Sequence, residues 1–116
     1  MVNEIQGNGG DTRRDRERHG RRAETRAAIT LRLRGYRVLD RRVRTSAGEV
    51  DLVVRRGGVV AFVEVKARKT RERAAESISP TQRRRIVRAA AHYIAAFPRL
   101  AVLTQRFDAV LVKPRR

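Results

Sequence analysis

Two valine-rich runs that meet at Gly57 and Gly58 constrain this chain more than any other feature. The stretch GEVDLVVRRGGVVAFVEVKARK, residues 48–69, has EVDLVV before the glycine pair and VVAFVEVKA after it. β-Branched residues favour strands, and glycine accepts the positive φ of a two-residue hairpin turn. Strands are therefore expected over 49–56 and 59–67, closed at 57–58. The near-continuous apolar run of the second strand predicts a central position, covered on both faces.

The flanking elements follow from periodicity and stop signals. In RRAETRAAITLRLR, residues 21–34, Ala27, Ala28 and Leu31 recur at helical spacing, and Ile29 with Leu33 is expected to widen the stripe. Gly35 is a natural stop. Residues 36–44 fit a first strand, and TSAG at 45–48 is the turn into the second. KTRERAAES at 69–77 reads as a polar loop. Ser79, Pro80 and Gln82 then make an N-cap, a first-turn proline and a capping box for a second helix. Ile86, Ala90, Ile94 and Phe97 form its apolar face, and Pro98 ends it. A last strand is expected over 105–112. The order is α-β-β-β-α-β: an α/β chain with a mixed central sheet flanked by helices.

The hairpin places two acids in an apolar setting. With a two-residue loop, Arg56 faces Val59, and counting back sets Asp51 opposite Glu64, with Cβ atoms ~5 Å apart. Side chains alternate along a strand, so Glu64 and Lys66 share one face, with Val63 and Val65 on the other. Two opposed carboxylates repel, and apolar neighbours deepen the cost of their charge. A divalent cation between them removes that cost, and Mg²⁺ commonly takes one or two carboxylates with waters and phosphate oxygens. Lys66 can then orient or deprotonate a metal-activated water, or steady charge on a phosphate. Lysine can lose its proton where arginine cannot. Its use here is notable because only Lys66, Lys69 and Lys113 are lysines among 29 basic residues.

Charge points to the substrate class. The net charge is +17. In residues 1–20 four arginines balance four acids, so the whole excess falls on residues 21–116, read as the single domain. The first twenty residues, rich in glycine and charge, read as a flexible tail. Such an excess implies a polyanion, with DNA favoured and RNA the alternative. Arg68, Arg83, Arg84, Arg85 and Arg88 are the expected backbone contacts, four of them crowding the start of the second helix. Three Phe and two Tyr are too few for a base-stacking platform. The absence of cysteine excludes disulfides, a thiol nucleophile and Cys-ligated metal, and suits a cytoplasmic setting. No apolar run approaches the ~20 residues of a membrane span, and the start lacks the apolar core of a secretory signal, so no membrane partner is expected.

This layout resembles the PD-(D/E)xK nuclease superfamily, with its restriction-endonuclease-like core. More narrowly, GRRAE at 20–24, GEVDLVV at 48–54, FVEVKAR at 62–68, SPTQRRRI at 79–86 and RFDAV at 106–110 resemble the YraN family of small bacterial proteins, relatives of archaeal Holliday junction resolvases. The resemblance covers residues 20 to 112. It implies a Mg²⁺- or Mn²⁺-dependent nuclease acting on branched or structured DNA, with metal at Asp51, Glu64 and Glu24 and catalysis by Asp51, Glu64 and Lys66. A resolvase needs two active sites, hence a homodimer. Val50 stands where the superfamily's name has proline.

Blander readings stand beside these. Asp51 and Glu64 can each pair with an arginine. Lys66 can be a strand-end lysine, and Glu24 an ordinary first-turn acid favoured by the helix dipole. Asp108 reads as a salt-bridge partner, Gln82 as the capping-box residue and His92 as a helix-flank histidine. A non-catalytic nucleic-acid-binding protein that keeps the fold, and an RNA-associated basic protein, are the competing functions.

Overall fold

The computed structural model describes residues 13–67 and 79–113, with side chains from Gly20 onward. Residues 1–12 of the expected tail, the loop over 69–77 and Arg68 lie outside the described residues. The elements are α1 (Arg13–Leu33), β1 (Arg37–Thr45), β2 (Gly48–Arg56), β3 (Val59–Ala67), α2 (Pro80–Ala96), a 3₁₀ turn (Pro98–Val102) and β4 (Thr104–Val112). Four strands form one sheet in the order β1-β2-β3-β4, antiparallel except for the parallel β3–β4 pair. This α-β-β-β-α-β arrangement is the expected one, and it is compatible with a restriction-endonuclease-like core. Among the described residues, no helix is long and apolar enough to cross a membrane.

The hairpin forms as its glycines dictate. Arg56 pairs with Val59, and Gly57 takes φ +58°. β3 is central and packs on both faces. Ala61 and Val63 belong to a cluster with Ala23, Ala27, Ala28 and Leu31 of α1. Val60 and Phe62 belong to a second cluster with Ala89, Ala90 and Tyr93 of α2. Alanines dominate both helix faces, so the helices lie close on the sheet.

Local signals end the helices. Gly35 at φ +92° lets Tyr36 N–H donate to Leu31 O and Gly35 N–H to Arg32 O, both at 3.0 Å. These are the two bonds of a Schellman motif, and Tyr36 and Leu31 share its apolar contact. The Ser79–Gln82 capping box is complete, each backbone N–H bonded at 3.1 Å. Gly48 has a packing role: a Cβ there would meet Arg85 O at 2.9 Å, so glycine lets the first turns of α2 approach the start of β2.

Three local expectations are corrected. α1 starts at Arg13 rather than residue 21, so residues 13–20, assigned to the tail, are helical. Ile29 and Leu33 do not widen the buried stripe, being 49% and 84% exposed; the face that meets the sheet is the narrow one of Ala23, Ala27, Ala28 and Leu31. In α2, Phe97 lies beyond the last helical residue and is exposed, while Tyr93 fills the core under the helix.

Candidate active site

The β2–β3 ladder runs from Arg56↔Val59 to Leu52↔Val63 and stops one step before Asp51 and Glu64. On the other edge of β2 the pairing steps from Arg41↔Leu52 to Val43↔Val50, passing over Arg42 and Asp51. Arg42 takes φ +54°, the only positive φ among the described non-glycine residues. Pleating is broken at the same place: Val50 and Val53, three apart, both face α2. Asp51 thus sits where β2 leaves its ladder with β3 and where its ladder with β1 skips one pair.

The carboxylate of Asp51 replaces a missing ladder acceptor. Its Oδ2 accepts the Val65 N–H at 2.7 Å. Burial first, and then the nearby charge of Glu64, push the Asp51 carboxyl up to about 7, with a smaller contribution from Glu24. The Val65 N–H and the Lys66 ammonium act the other way without cancelling these. Asp51 and Glu64 are therefore close enough to repel, as their hairpin positions require, although they are not a regular cross-strand pair.

Glu64 and Lys66 meet as neighbours two apart on β3. Lys66 Nζ lies 3.1 Å from Glu64 Oε2, with Lys66 1% exposed and Glu64 partly open to solvent. Val63 and Val65 pack on the opposite, α1 side. Alignment for a hydrogen bond is not achieved, and Lys66 Nζ is buried without such a partner. A buried ammonium with unspent donors, beside a carboxylate that reaches water, is suited to a polar ligand.

Glu24 is delivered from α1. It is buried among Ala23, Ala27 and Ala28, and its Oε1 has no hydrogen-bond donor. Arg41 Nη2 lies 3.4 Å from Oε1, and Arg42 Nε 4.0 Å from Oε2. Adjacent strand residues normally point to opposite faces. The positive φ of Arg42 lets both arginines reach one carboxylate. Burial nonetheless raises the Glu24 pKa against these charges.

Among the described residues, no group of three or more His, Cys, Asp or Glu side chains is gathered to ligate one ion. The acids nevertheless fit a divalent cation. Asp51 is short of positive charge, the Glu64 charge acts on it and Glu64 reaches solvent, and Glu24 Oε1, though ion-paired with Arg41, accepts no hydrogen bond. Two carboxylates with waters and phosphate oxygens are enough for Mg²⁺. Asp51 and Glu64 could hold the ion, with Glu24 in reserve.

Arg83, Arg84, Arg85 and Arg88 are all exposed on the first turns of α2. Arg84 reaches Thr81 Oγ1 at 3.4 Å. They flank β2 at its beginning, where Arg85 abuts Gly48, three residues from Asp51. Asp108 makes its salt bridge with Arg106 at 2.9 Å, and His92 is exposed. Arg41 and Arg42 were not among the expected site residues. Counting through the 45–48 turn sets position 42 across from position 51, a signal that reads directly from the sequence.

Comparison with known proteins supports the sequence pattern. The family described as Uncharacterised protein family UPF0102 matches residues 23–112. A UPF0102 protein of Parvibaculum lavamentivorans is 58% identical over 99 residues, covering 85% of this chain and 74% of its own. One from Paramagnetospirillum magneticum is 53% identical over 104 residues, covering 86% and 81%. One from Methylocella silvestris is 49% identical over 106 residues, covering 91% and 86%. All the proposed site positions in the described strands and helices fall within the matched region.

Proposed function

The chain belongs to the UPF0102 family, the YraN family of bacterial proteins, and from that starting point we propose that it is a metal-dependent nuclease that hydrolyses DNA phosphodiester bonds. The observation that carries this reading is the cluster of Asp51, Glu64 and Lys66 where β2 leaves the ladder: two mutually repelling carboxylates beside a buried lysine. A stability role alone does not favour such a group, because its charges are costly to bury.

Mg²⁺ or Mn²⁺ held there supplies Lewis-acid polarisation of the phosphate and a bound water of lowered pKa. Asp51 and Glu64 would hold the ion by their carboxylates. Asp51 is fixed in place by the Val65 N–H. Lys66, anchored beside Glu64, orients the attacking water or offsets charge building on the phosphate oxygens. Glu24 adds negative charge at the site's α1 side. The arginines at the start of α2, with Arg68, would hold the nucleic-acid backbone. Cytoplasmic DNA with branches is the preferred substrate, and its symmetric cleavage requires two copies of the chain.

A second reading has its own support. Arg41 and Arg42 balance Glu24, and Lys66 balances Glu64, so much of the site is neutralised by the protein itself. A nucleic-acid-binding protein that keeps the fold without cutting fits that balance.

The test is cleavage of labelled linear, single-stranded, flapped and four-way-junction DNA with Mg²⁺, Mn²⁺ or EDTA. Wild type runs beside Glu64→Ala and Lys66→Ala from the same purification. Metal-dependent cutting by wild type and none by either variant supports the nuclease. Equal binding by all three, with no cutting under any condition, supports the binding protein.

A further inference from the structure

At the other end of the sheet, away from the carboxylates, a cavity of about 450 Å³ opens on the α1 side. Arg34, Arg56 and Arg106 line it around Tyr36, and Asp108 is the one acid in its wall. We propose that this pocket is a second phosphate-binding site, which grips the backbone of the same nucleic acid at a distance from the carboxylates. The nucleic-acid part of this rests on the functional reading above.

Two of these arginines, Arg56 and Arg106, are braced rather than loose. Arg56 Nη1 donates to Arg34 O at 3.0 Å, and the Arg56 guanidinium lies 5.0 Å from the Tyr36 ring centre. Arg106 is fixed twice. Its Nε donates to both oxygens of Asp108, at 3.1 and 2.9 Å, and its Nη2 donates to Tyr36 Oη at 2.6 Å. Its guanidinium also lies 5.9 Å from the Tyr36 ring centre. A guanidinium has five N–H donors, so both retain donors for a ligand. Side chains fixed in advance lose little freedom on binding, which is what separates a site from a solvated charged surface.

Charge makes the same point. Three guanidinium groups share one pocket with one carboxylate, and that carboxylate is already engaged by Arg106. A phosphate relieves the repulsion among these three and matches the planar, forked donors of arginine.

The two sites share β2. Five residues separate Asp51 from Arg56, roughly 17 Å along a strand. One nucleic-acid strand advances ~3.4 Å per nucleotide, and the pocket and Glu64 lie on opposite faces of the sheet, so a ligand that reaches both sites spans more than about five nucleotides. A trinucleotide fills one site only.

The experiment measures binding in EDTA, so cleavage plays no part. A labelled 20-base-pair duplex and a trinucleotide are titrated into wild type, Arg56→Gln/Arg106→Gln and the exposed single variant Arg34→Gln, each at several salt concentrations. In parallel, pyrophosphate and inorganic phosphate are titrated into wild type while the arginine Nε–H signals are followed by NMR. The double variant is expected to lose tenfold or more in duplex affinity and to lower the salt slope by about 2, while trinucleotide binding changes less. Arg34→Gln is expected to lower the slope by about 1, and it keeps the test decisive should the double variant fold poorly. Pyrophosphate is expected to shift the Arg56 and Arg106 signals. Unchanged affinity and slope in the folded variants, or Nε–H signals that ignore pyrophosphate, overturn the site. If pyrophosphate shifts the signals but wild type binds no duplex, the phosphate site stands and the nucleic-acid reading falls.

Discussion

Lys66 Nζ and Glu64 Oε2 lie 3.1 Å apart, the lysine buried and the glutamate partly wet. Removing one partner strands the other's charge in a low-dielectric setting. Lys66→Met should therefore cost roughly 3 kcal/mol, the low end of the range for a broken buried pair, because Glu64 keeps some water. Glu64→Gln combined with Lys66→Met should cost less than the two single changes together. Urea unfolding of the four proteins in a double-mutant cycle checks this, and additive costs would show that the pair is uncoupled.

Asp51 gives the protein a pH-dependent stability. In the folded chain its carboxyl holds a proton up to about pH 7, whereas its ordinary value is 3.8. Between those values the folded state binds more protons than the unfolded one, so stability falls as pH rises, by up to about 1.4 kcal/mol per pH unit for one group. Glu24, also raised by burial, adds in the same direction. Unfolding midpoints at pH 5, 6, 7 and 8 should decrease for wild type and flatten in Asp51→Asn. Divalent-ion binding should run the opposite way, strengthening as Asp51 loses its proton.

Arg42 holds a backbone conformation that side chains disfavour. Arg42→Gly and Arg42→Ala both remove the guanidinium from Glu24, so the comparison between them isolates the backbone. The glycine variant should be more stable by about 1 kcal/mol in chemical denaturation. Equal stabilities would mean that the backbone at residue 42 relaxes when the arginine is gone.

Gly48→Ala brings a methyl group to 2.9 Å from the Arg85 carbonyl, part of the helix backbone rather than a side chain that can swing away. The start of α2 must shift from the sheet, at a cost of about 1–3 kcal/mol. A thermal melt of the variant reads it, and a melt unchanged from wild type would show that the helix gives way easily.

The exposed arginines of α2 should matter for binding and little for folding. Arg84→Gln/Arg88→Gln should leave the melting temperature within a few degrees while lowering the salt slope of DNA binding by about 0.9 for each phosphate that is no longer neutralised. Fluorescence anisotropy at about 50–200 mM salt is the readout. An unchanged slope would remove this helix from the interface.

The sheet was legible because its signals are local. Gly57 and Gly58 fix a two-residue turn, and register then follows by counting as far as Leu52↔Val63. The count fails at Asp51, whose carboxylate takes the Val65 N–H in place of a backbone carbonyl; a side chain that substitutes for a ladder partner leaves no mark in strand periodicity. The start of α1 is not legible in apolar periodicity, because RRDRERHG carries no apolar stripe. Ile29 and Leu33 look like core residues, but an alanine-lined face packs close and leaves no room on its flanks. The Arg34, Arg56 and Arg106 pocket joins three elements distant in sequence, so only the fold assembles it.

Among the described residues β1 is an edge strand, and four of its nine residues, Arg37, Arg41, Arg42 and Arg44, are arginines. An open edge is a template for another copy of itself, and a strand docking there from a second molecule would bring guanidinium against guanidinium. The arginines near the carboxylates therefore also act colloidally, keeping like sheets apart. That protection is electrostatic and fades with ionic strength. The conditions that strip a polyanion from this protein are also those under which its bare edge is least guarded, so high-salt preparations are where edge-to-edge association should first be seen.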